Sequence, residues 1–536
     1  MGSRPAAVFP PSDADLPDDV VSLVARACAA DPSRPAIIFE DGVELSRQGL
    51  VERAERFAGF LAERVSAGDR IAIAVGNRAE FMIAWIAAVA RGATIVPINT
   101  GARRRDAAHL LRDSDAVLAI SDSERRDLLA SLLPECPSLA EVIVVSDDEP
   151  DGLAEHRGGM DLALGDARVD AGAITNVYYT SGTTGLPKGC AVDHSYWIRF
   201  VDLYRRIYGM ESDDRLLTCL NFFYNDPSWH LLTALHSGST FVAMRRFSVS
   251  RFWDVVRRQA ITQLFGIAAI PTLLLTAPPG SGDRDHGVRF AVQVGIPTPD
   301  AHRELVDRWG FPWLELYGLT ETGIVTAMPP ELGGETVGSG SIGLPAPEVE
   351  LRLAAGDAGG GDSEGRGEIE VRAPGMMRGY LGRSRETGEA FRDGWFRTGD
   401  LARRDREGLL YFEGRLKDLV RRSGENVSAL EVETVLCEHP DVAEAAVVPV
   451  PDELRGEEVK AHVRLRDGAS PDAVPPRELA DHCAERLAPH KVPRFIEYRS
   501  EDFPRTPSMR IAKRELIDSD PNPRSTAWDR ETAEPR

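Results

Sequence analysis

No apolar run in the 536 residues is long enough to span a bilayer, and the N-terminus, "MGSRPAAVFPPSDADLPDD", lacks the apolar core of a secretory signal. A membrane or exported protein is therefore not expected, and a cytoplasmic one is. Cysteine is scarce. The six cysteines, Cys28, Cys136, Cys190, Cys219, Cys437 and Cys483, form no CxxC or other metal-ligand spacing, which argues against a zinc site and a disulfide framework. Positive charge is in deficit, with 63 lysines and arginines against 84 aspartates and glutamates and a formal net charge of −21. Such a surface repels nucleic acid and anionic lipid, and an anionic small molecule would need its own basic or amide-lined pocket.

What is present is an apolar fraction of 43%, sufficient for packed domains, and a length beyond one ordinary core. The first third alternates strand-like runs ("RIAIAVGN", "ATIVPIN", "AVLAISD", "EVIVVSD") with helix-like ones such as "RAEFMIAWIAAVARG". This alternation predicts an α/β fold of layered parallel sheets. A smaller β-rich unit follows, with a Gly-rich turn over residues 354–368. Beyond residue 414 the pattern becomes a small α+β unit, with a helix at "SALEVETVLCEHP" and strands at "VAEAAVVPVPD" and "EEVKAHVRL". The expected division is a large N-terminal domain over 1–416, a small C-terminal domain over 417–517, and a polar, Pro-containing, disordered tail over 518–536.

The strongest chemical signal is "YYTSGTTGLPKG" at residues 178–189. A strand runs into a loop of Ser, Thr and Gly closed by Lys188. Small residues let backbone N–H groups approach phosphate oxygens, hydroxyls add donors, and the lysine adds a mobile charge. It is not a Walker A loop, because Pro187 and Gly189 stand where glycine and a hydroxyl residue are required. The segment resembles the phosphate loop of the adenylate-forming superfamily of acyl-CoA synthetases, peptide-synthetase adenylation domains and luciferases.

Further motifs follow in the order and at the spacing of that family. "LELYGLTETG" (314–323) resembles the adenine and magnesium motif, which implies that Tyr317 flanks adenine, Thr320 bonds a phosphate and Glu321 holds Mg²⁺. A hard cation bridging phosphates does call for a carboxylate oxygen. "WFRTGDLARRD" (395–405) resembles the ribose motif, implying that Asp400 accepts from both ribose hydroxyls. "GRLKDLVRRSGENVSALEVE" (414–433) resembles the interdomain segment, which implies a mobile C-terminal domain, with Arg415 on the ribose, Lys417 as the hinge and Gly424 lining the pantetheine path. By the same resemblance Thr180, Ser181, Gly182, Thr183, Thr184 and Gly185 cradle phosphates and Gly295 borders the nucleotide. The implied reactants are a carboxylic acid, ATP or AMP with Mg²⁺, and CoA. Residues 424–463 and 239–256 look most like CoA ligases of the carnitine/crotonobetaine type. The whole pattern is also similar to tailoring ligases of natural-product pathways that load diterpenoid acids of the platensimycin/platencin type onto CoA.

"LNFFYNDPSWHLLTALHSG" (220–238) falls where the family often has a gating histidine, and here Phe223 or Tyr224 takes that place. The acyl pocket is expected to draw on these two, Asp226, Ile267, Ile296 and Gly318. Trp229, His230 and His236 read as packed helix residues. With few charges in it, the pocket suits a largely apolar, bulky acid, although Asp226 could meet a cation. Arg421, Arg422 and Arg455 are either solvated surface or contacts for the CoA nucleotide.

The family's last motif ends in a turn that delivers a lysine to the adenylation site. In "PRTPSMRIAKREL" (504–516) Met509 replaces the usual glycine and Arg510 the lysine. A guanidinium is longer, planar and forked where an ammonium is a point donor. Losing one well-placed donor costs on the order of a hundredfold to a thousandfold in rate. Lys513 lies three residues on, roughly 10 Å along an extended chain and on the opposite face. The expectation is an impaired adenylation step with transfer from acyl-adenylate to CoA retained, and a separate adenylating enzyme as partner. The competing readings are a complete two-step synthetase, a luciferase-like oxygenase, a peptide-synthetase unit, and a nucleotide-binding regulator that turns nothing over.

Overall fold

The computed structural model describes residues 10, 12, 15–147, 151–158, 162–180, 187–267, 270–295, 298–354, 365–423, 425–505, 511–520, 522–532 and 534–535. The apolar runs of the first third pair as parallel strands, since each is short, nearly all buried, and joined to the next by a connection long enough to cross over. Arg70–Ala74 lies between Thr94–Pro97 and Leu118–Ser121, and the latter pairs with Glu141–Val144. Every residue of the connecting helix Ala79–Ala90 is buried, as a helix apolar on all sides must be. β1 (Ile174–Thr180) joins this sheet parallel to Thr94–Pro97, then turns back antiparallel into β2 (Lys188–Asp193), with Thr180 directly opposite Lys188. The phosphate-loop motif thus begins on β1 and ends on β2, with residues 181–186 outside the described residues.

Two helices follow that cover the site from one side: α1 (His194–Tyr208), capped by the Asp193 side chain, and α2 (Asn225–Ser237). The second sheet has a parallel centre. β3 (Gln263–Ile267) pairs with β4 (Phe290–Val294), and β4 with β5 (Trp313–Leu319). β5 then folds back antiparallel on β6 (Gly323–Ala327), with Thr320, Glu321 and Thr322 in the turn. The β-rich portion continues the same sheet through β7 (Trp395–Arg404) and β8 (Leu410–Arg415), paired so that Asp400 faces Arg415. Residues 355–364 of the Gly-rich turn lie outside the described residues.

After a short 3-10 turn at Leu416–Asp418 the chain builds a third sheet with its own core, in which α3 (Ala429–Cys437) packs Val432, Val435 and Leu436 against the sheet. β9 (Gly456–Leu465) pairs in parallel with β10 (Phe495–Tyr498), and α4 (Lys513–Asp518) follows the last motif. The observed architecture is α/β, with a large N-terminal part and a smaller C-terminal one. No helix among the described residues is long and apolar enough to cross a membrane.

The expectation of a disordered tail over 518–536 does not hold for residues 522–532. β11 (Trp528–Asp529) adds antiparallel to β10, Ala527 and Asp529 are fully buried, and Arg494 takes Asp529 through two nitrogens at 3.2 and 3.3 Å. The polar residues that made the tail look unstructured are partners for arginines already present in the domain. Arg422, weighed as a CoA contact, is buried on Glu458 at 2.6 Å, and Arg455 bridges Glu458 and Glu531. Only Arg421 of the three is exposed.

Candidate functional site

The described motif residues form two groups, one around the β5–β6 turn and one on β5 itself. The first surrounds Glu321. Its Oε1 accepts from the Thr180 hydroxyl at 3.1 Å and from the Tyr380 hydroxyl at 3.2 Å. The Lys188 ammonium stands 5.3 Å from the centre of the Tyr380 ring, within range of a cation–π contact. Burial pushes the Tyr380 phenol up, helped by the Glu321 charge, so it stays a hydrogen-bond donor at any working pH. Among the described residues Glu321 has no ion pair. Two neutral hydroxyls orient the carboxylate without cancelling its charge.

The second group lies four residues back along β5. Tyr317 is buried and its hydroxyl donates to Asp400 at 2.7 Å. Asp400, itself only 2% exposed, also faces the Arg415 guanidinium at 3.3 Å. Burial and the Asp400 charge hold the Tyr317 phenol well above its usual range. Gly318 follows, where a Cβ would sit 2.3 Å from the Gly323 carbonyl oxygen, so only glycine fits. Gly295 closes the group at the end of β4. It is left-handed (φ +82°), its N–H donates to Glu315 at 3.1 Å, and nothing lies within 4 Å of where a side chain would begin. Thr320 is half-buried in the β5–β6 turn.

The expected acyl wall is partly described. Phe223 is buried, Tyr224 is half-buried, and their rings lie 4.5 Å apart. Asp226, in the first turn of α2, keeps some exposed surface, and burial raises its carboxyl to about 6. Trp229 and His230 pack against Phe265 as fully buried residues, and both His230 nitrogens lack a hydrogen-bond partner among the described residues. Ser181, Gly182, Thr183, Thr184, Gly185, Ile296, Gly424, Met509 and Arg510 lie outside the described residues, as does the Ile267 side chain. Two participants had no sequence signal of their own: Tyr380, on a two-residue strand paired with β2, and Arg199, on α1.

The donor set fits a magnesium-bound nucleotide. Glu321 offers a carboxylate with uncancelled charge, Lys188 and two hydroxyls flank it, and Asp400 on β7 is joined to β5 through the Tyr317 hydroxyl. When bound, Mg²⁺ would screen the phosphate charge there.

The family model for AMP-binding enzymes matches residues 24–381, and that for the AMP-binding enzyme C-terminal domain matches residues 431–510. The chain belongs to the AMP-binding enzyme family. Among curated members, a crotonobetaine/carnitine–CoA ligase of Citrobacter koseri is 30% identical over 515 residues, covering 90% of this chain and 96% of that one. The corresponding ligase of Salmonella arizonae is 29% identical over 530 residues, 94% and 97% of the two chains. ATP-bound MatB from Rhodopseudomonas palustris superimposes with a TM-score of 0.83 at 28% identity, over 94% of this chain and 99% of the other. o-Succinylbenzoate CoA synthetase (MenE) from Bacillus subtilis, in complex with its acyl-adenylate intermediate, gives 0.82 at 29%, over 92% and 97%. This AMP-binding enzyme is an acyl-CoA ligase of the adenylate-forming superfamily, and such ligases make a thioester in two steps, adenylation and then transfer to CoA, with ATP, Mg²⁺ and CoA.

The family member at hand is nearly without lysine. It has five, Lys188, Lys417, Lys460, Lys491 and Lys513, among its 63 basic residues. Lys513 is paired with Glu433 on α3 at 2.6 Å, Lys491 with Glu431 at 2.7 Å, and Lys460 is fully buried between Glu497 and Asp520.

Proposed function

We propose that this acyl-CoA ligase is specialised for the second half-reaction: it accepts a preformed acyl-adenylate and transfers the acyl group to CoA. The observation that carries the reading is Arg510 in a C-terminal region with no spare lysine. Each lysine after the hinge is already held by a carboxylate, so none is free to replace the one missing at 510. General arginine bias does not account for the exchange, because lysine is retained at 188 and 417, where the chemistry calls for it.

In this reading Lys188, Thr180 and residues 181–185 hold the adenylate phosphate. Tyr317, Thr320, Gly295, Asp400 and Arg415 hold the nucleoside and the phosphate's approach. The C-terminal domain, oriented at the Lys417 hinge for transfer alone, sets Gly424 beside the pantetheine path. The thiol sulfur forms the bond to the acyl carbon, the carbon–oxygen bond to phosphate breaks, AMP leaves, and the thiol proton passes to solvent. Phe223, Tyr224, Asp226, Ile267, Ile296 and Gly318 shape the acyl pocket for a bulky, mainly apolar acid of a natural-product pathway, and a separate enzyme supplies the adenylate.

A complete two-step synthetase is the second reading, favoured by the intact Lys188, Thr180 and Glu321 cluster. Two assays separate them: acid, MgATP and CoA in one, acyl-adenylate and CoA in the other, across a panel of apolar and polycyclic acids. The parent is expected to form acyl-CoA only from adenylate. Arg510→Lys is expected to raise ATP-dependent turnover by on the order of a hundredfold to a thousandfold. Ordinary ATP-dependent rates in the parent would instead establish the two-step reading.

A further inference from the structure

Arg199 is a buried cation to which the half-reactions described above assign no role. It projects from α1 and is 9% exposed. Burial lowers its pKa to about 10, which still leaves it charged. Among the described residues no carboxylate lies within ion-pair distance of it. Desolvating an unpaired guanidinium costs several kcal/mol, so what it binds must recover that cost. It donates to two backbone carbonyls, Thr322 at 3.0 Å through Nη1 and Ile324 at 3.1 Å through Nη2. These flank Gly323 at the start of β6, ahead of the point where the next strand begins to pair at Thr326. The guanidinium takes the place of a neighbouring strand on that edge.

The surroundings are shaped to admit it. Gly323 is left-handed (φ +67°), and a Cβ there would lie 3.4 Å from Arg199 Nη1. A Cβ on Gly375 would lie 3.2 Å from Arg199 Cβ and Cδ. From the other side the Met377 N–H donates to the Glu321 carbonyl oxygen at 2.9 Å. The turn holding Glu321 is therefore pinned one residue on by Arg199 and at its own carbonyl by Met377, while Thr180 and Tyr380 orient its side chain.

We infer that Arg199 is a positioning residue for the magnesium carboxylate, fixing the β5–β6 turn through the Thr322 and Ile324 carbonyls so that Glu321 faces the nucleotide phosphates. The inference rests on the reading of Glu321 as the magnesium ligand. Only arginine suits the task, since two carbonyls two residues apart match the two-pronged fork, and an ammonium on a shorter reach would hold one of them.

Calorimetric titration of the full chain with AMP, with ATP in EDTA and with ATP in excess Mg²⁺ tests it, for the parent, Arg199→Met, Arg199→Lys and Glu321→Gln. Affinity for ATP is expected to rise with Mg²⁺ in the parent and not in Glu321→Gln. Arg199→Met is expected to lose roughly ten- to a hundredfold of that gain with AMP affinity unchanged, and Arg199→Lys to recover part of it. If Arg199→Met keeps the gain while Glu321→Gln loses it, the clamp is wrong and the carboxylate assignment stands. Equal losses for AMP and MgATP, including in the milder Arg199→Lys, would mark a general folding role and overturn the inference. A Mg²⁺ gain retained by Glu321→Gln, or absent from the parent, would remove the carboxylate reading and this inference with it.

Discussion

Asp226 has a carboxyl raised to about 6 by burial, and no cation answers it among the described residues. A carboxyl raised in the folded state favours folding while protonated. That favour is complete below the ordinary aspartate value, about 4, and is lost as pH climbs through the folded value. Asp226→Asn is neutral at every pH. Its melting temperature is expected to exceed the parent's at neutral pH, with the gap narrowing as pH falls through about 6 toward 4. A gap that does not change with pH would show the carboxyl to be solvated. Glu321 and Asp400 were legible in the sequence because each stands in a short run, a carboxylate next to glycine and threonine, that resembles a known motif. Tyr380 and Arg199 were not, because each acts across the fold, 59 residues after Glu321 in one case and 123 before Thr322 in the other. A tyrosine on a two-residue strand and an arginine in an amphipathic helix look like any others until the chain closes.

At the scale of elements, the parallel strands and the buried helix Ala79–Ala90 formed where their apolar runs predicted, since a segment buried on both faces announces itself by composition alone. β11 did not, because its stability lies in pairing rather than hydrophobicity. Trp528 and Asp529 extend the sheet beyond β10, and Asp529 is held by Arg494, which also faces Asp452 and Glu458 at 3.4 and 3.5 Å. Removing one member of an isolated buried pair costs about 3–5 kcal/mol. Since three further carboxylates, Asp452, Glu458 and Glu531, still face Arg494, Asp529→Ala is expected to cost less, about 2 kcal/mol, read as a lower urea midpoint for the C-terminal domain. A midpoint equal to the parent's would mean that β11 is not part of the folding unit. The same reasoning explains why Lys513 cannot stand in for the missing lysine: α3 and α4 are tied through Glu433 and Lys513, and burial raises the Glu433 carboxyl, so freeing the lysine would strand it.

At the scale of the whole molecule, two bodies of different construction meet at the short turn Leu416–Asp418. The Ser428 hydroxyl donates to the Glu413 carbonyl at 2.5 Å across it. Every nucleotide group proposed here except Arg510 and Gly424 lies on the larger side. A ligase that adenylates must carry its C-terminal domain through both orientations each cycle. One that receives its adenylate ready-made needs the second orientation alone. Rigidifying the hinge with Lys417→Pro is accordingly expected to leave transfer from supplied adenylate within a few-fold of the parent, while abolishing whatever ATP-dependent turnover Arg510→Lys restores. A complete loss of transfer in Lys417→Pro would show that the domain must still swing.

An acyl-adenylate is also an acylating reagent, a mixed anhydride that any neutral amine in reach will attack. Guanidinium groups stay protonated and do not compete. A chain with five lysines, three of them clasped by carboxylates in its C-terminal domain, presents almost no amines to a substrate that arrives already activated. If the proposed reaction holds, so low a lysine content amounts to chemical self-protection. Intact-mass measurement after incubation with acyl-adenylate in the absence of CoA is expected to find the chain largely unmodified.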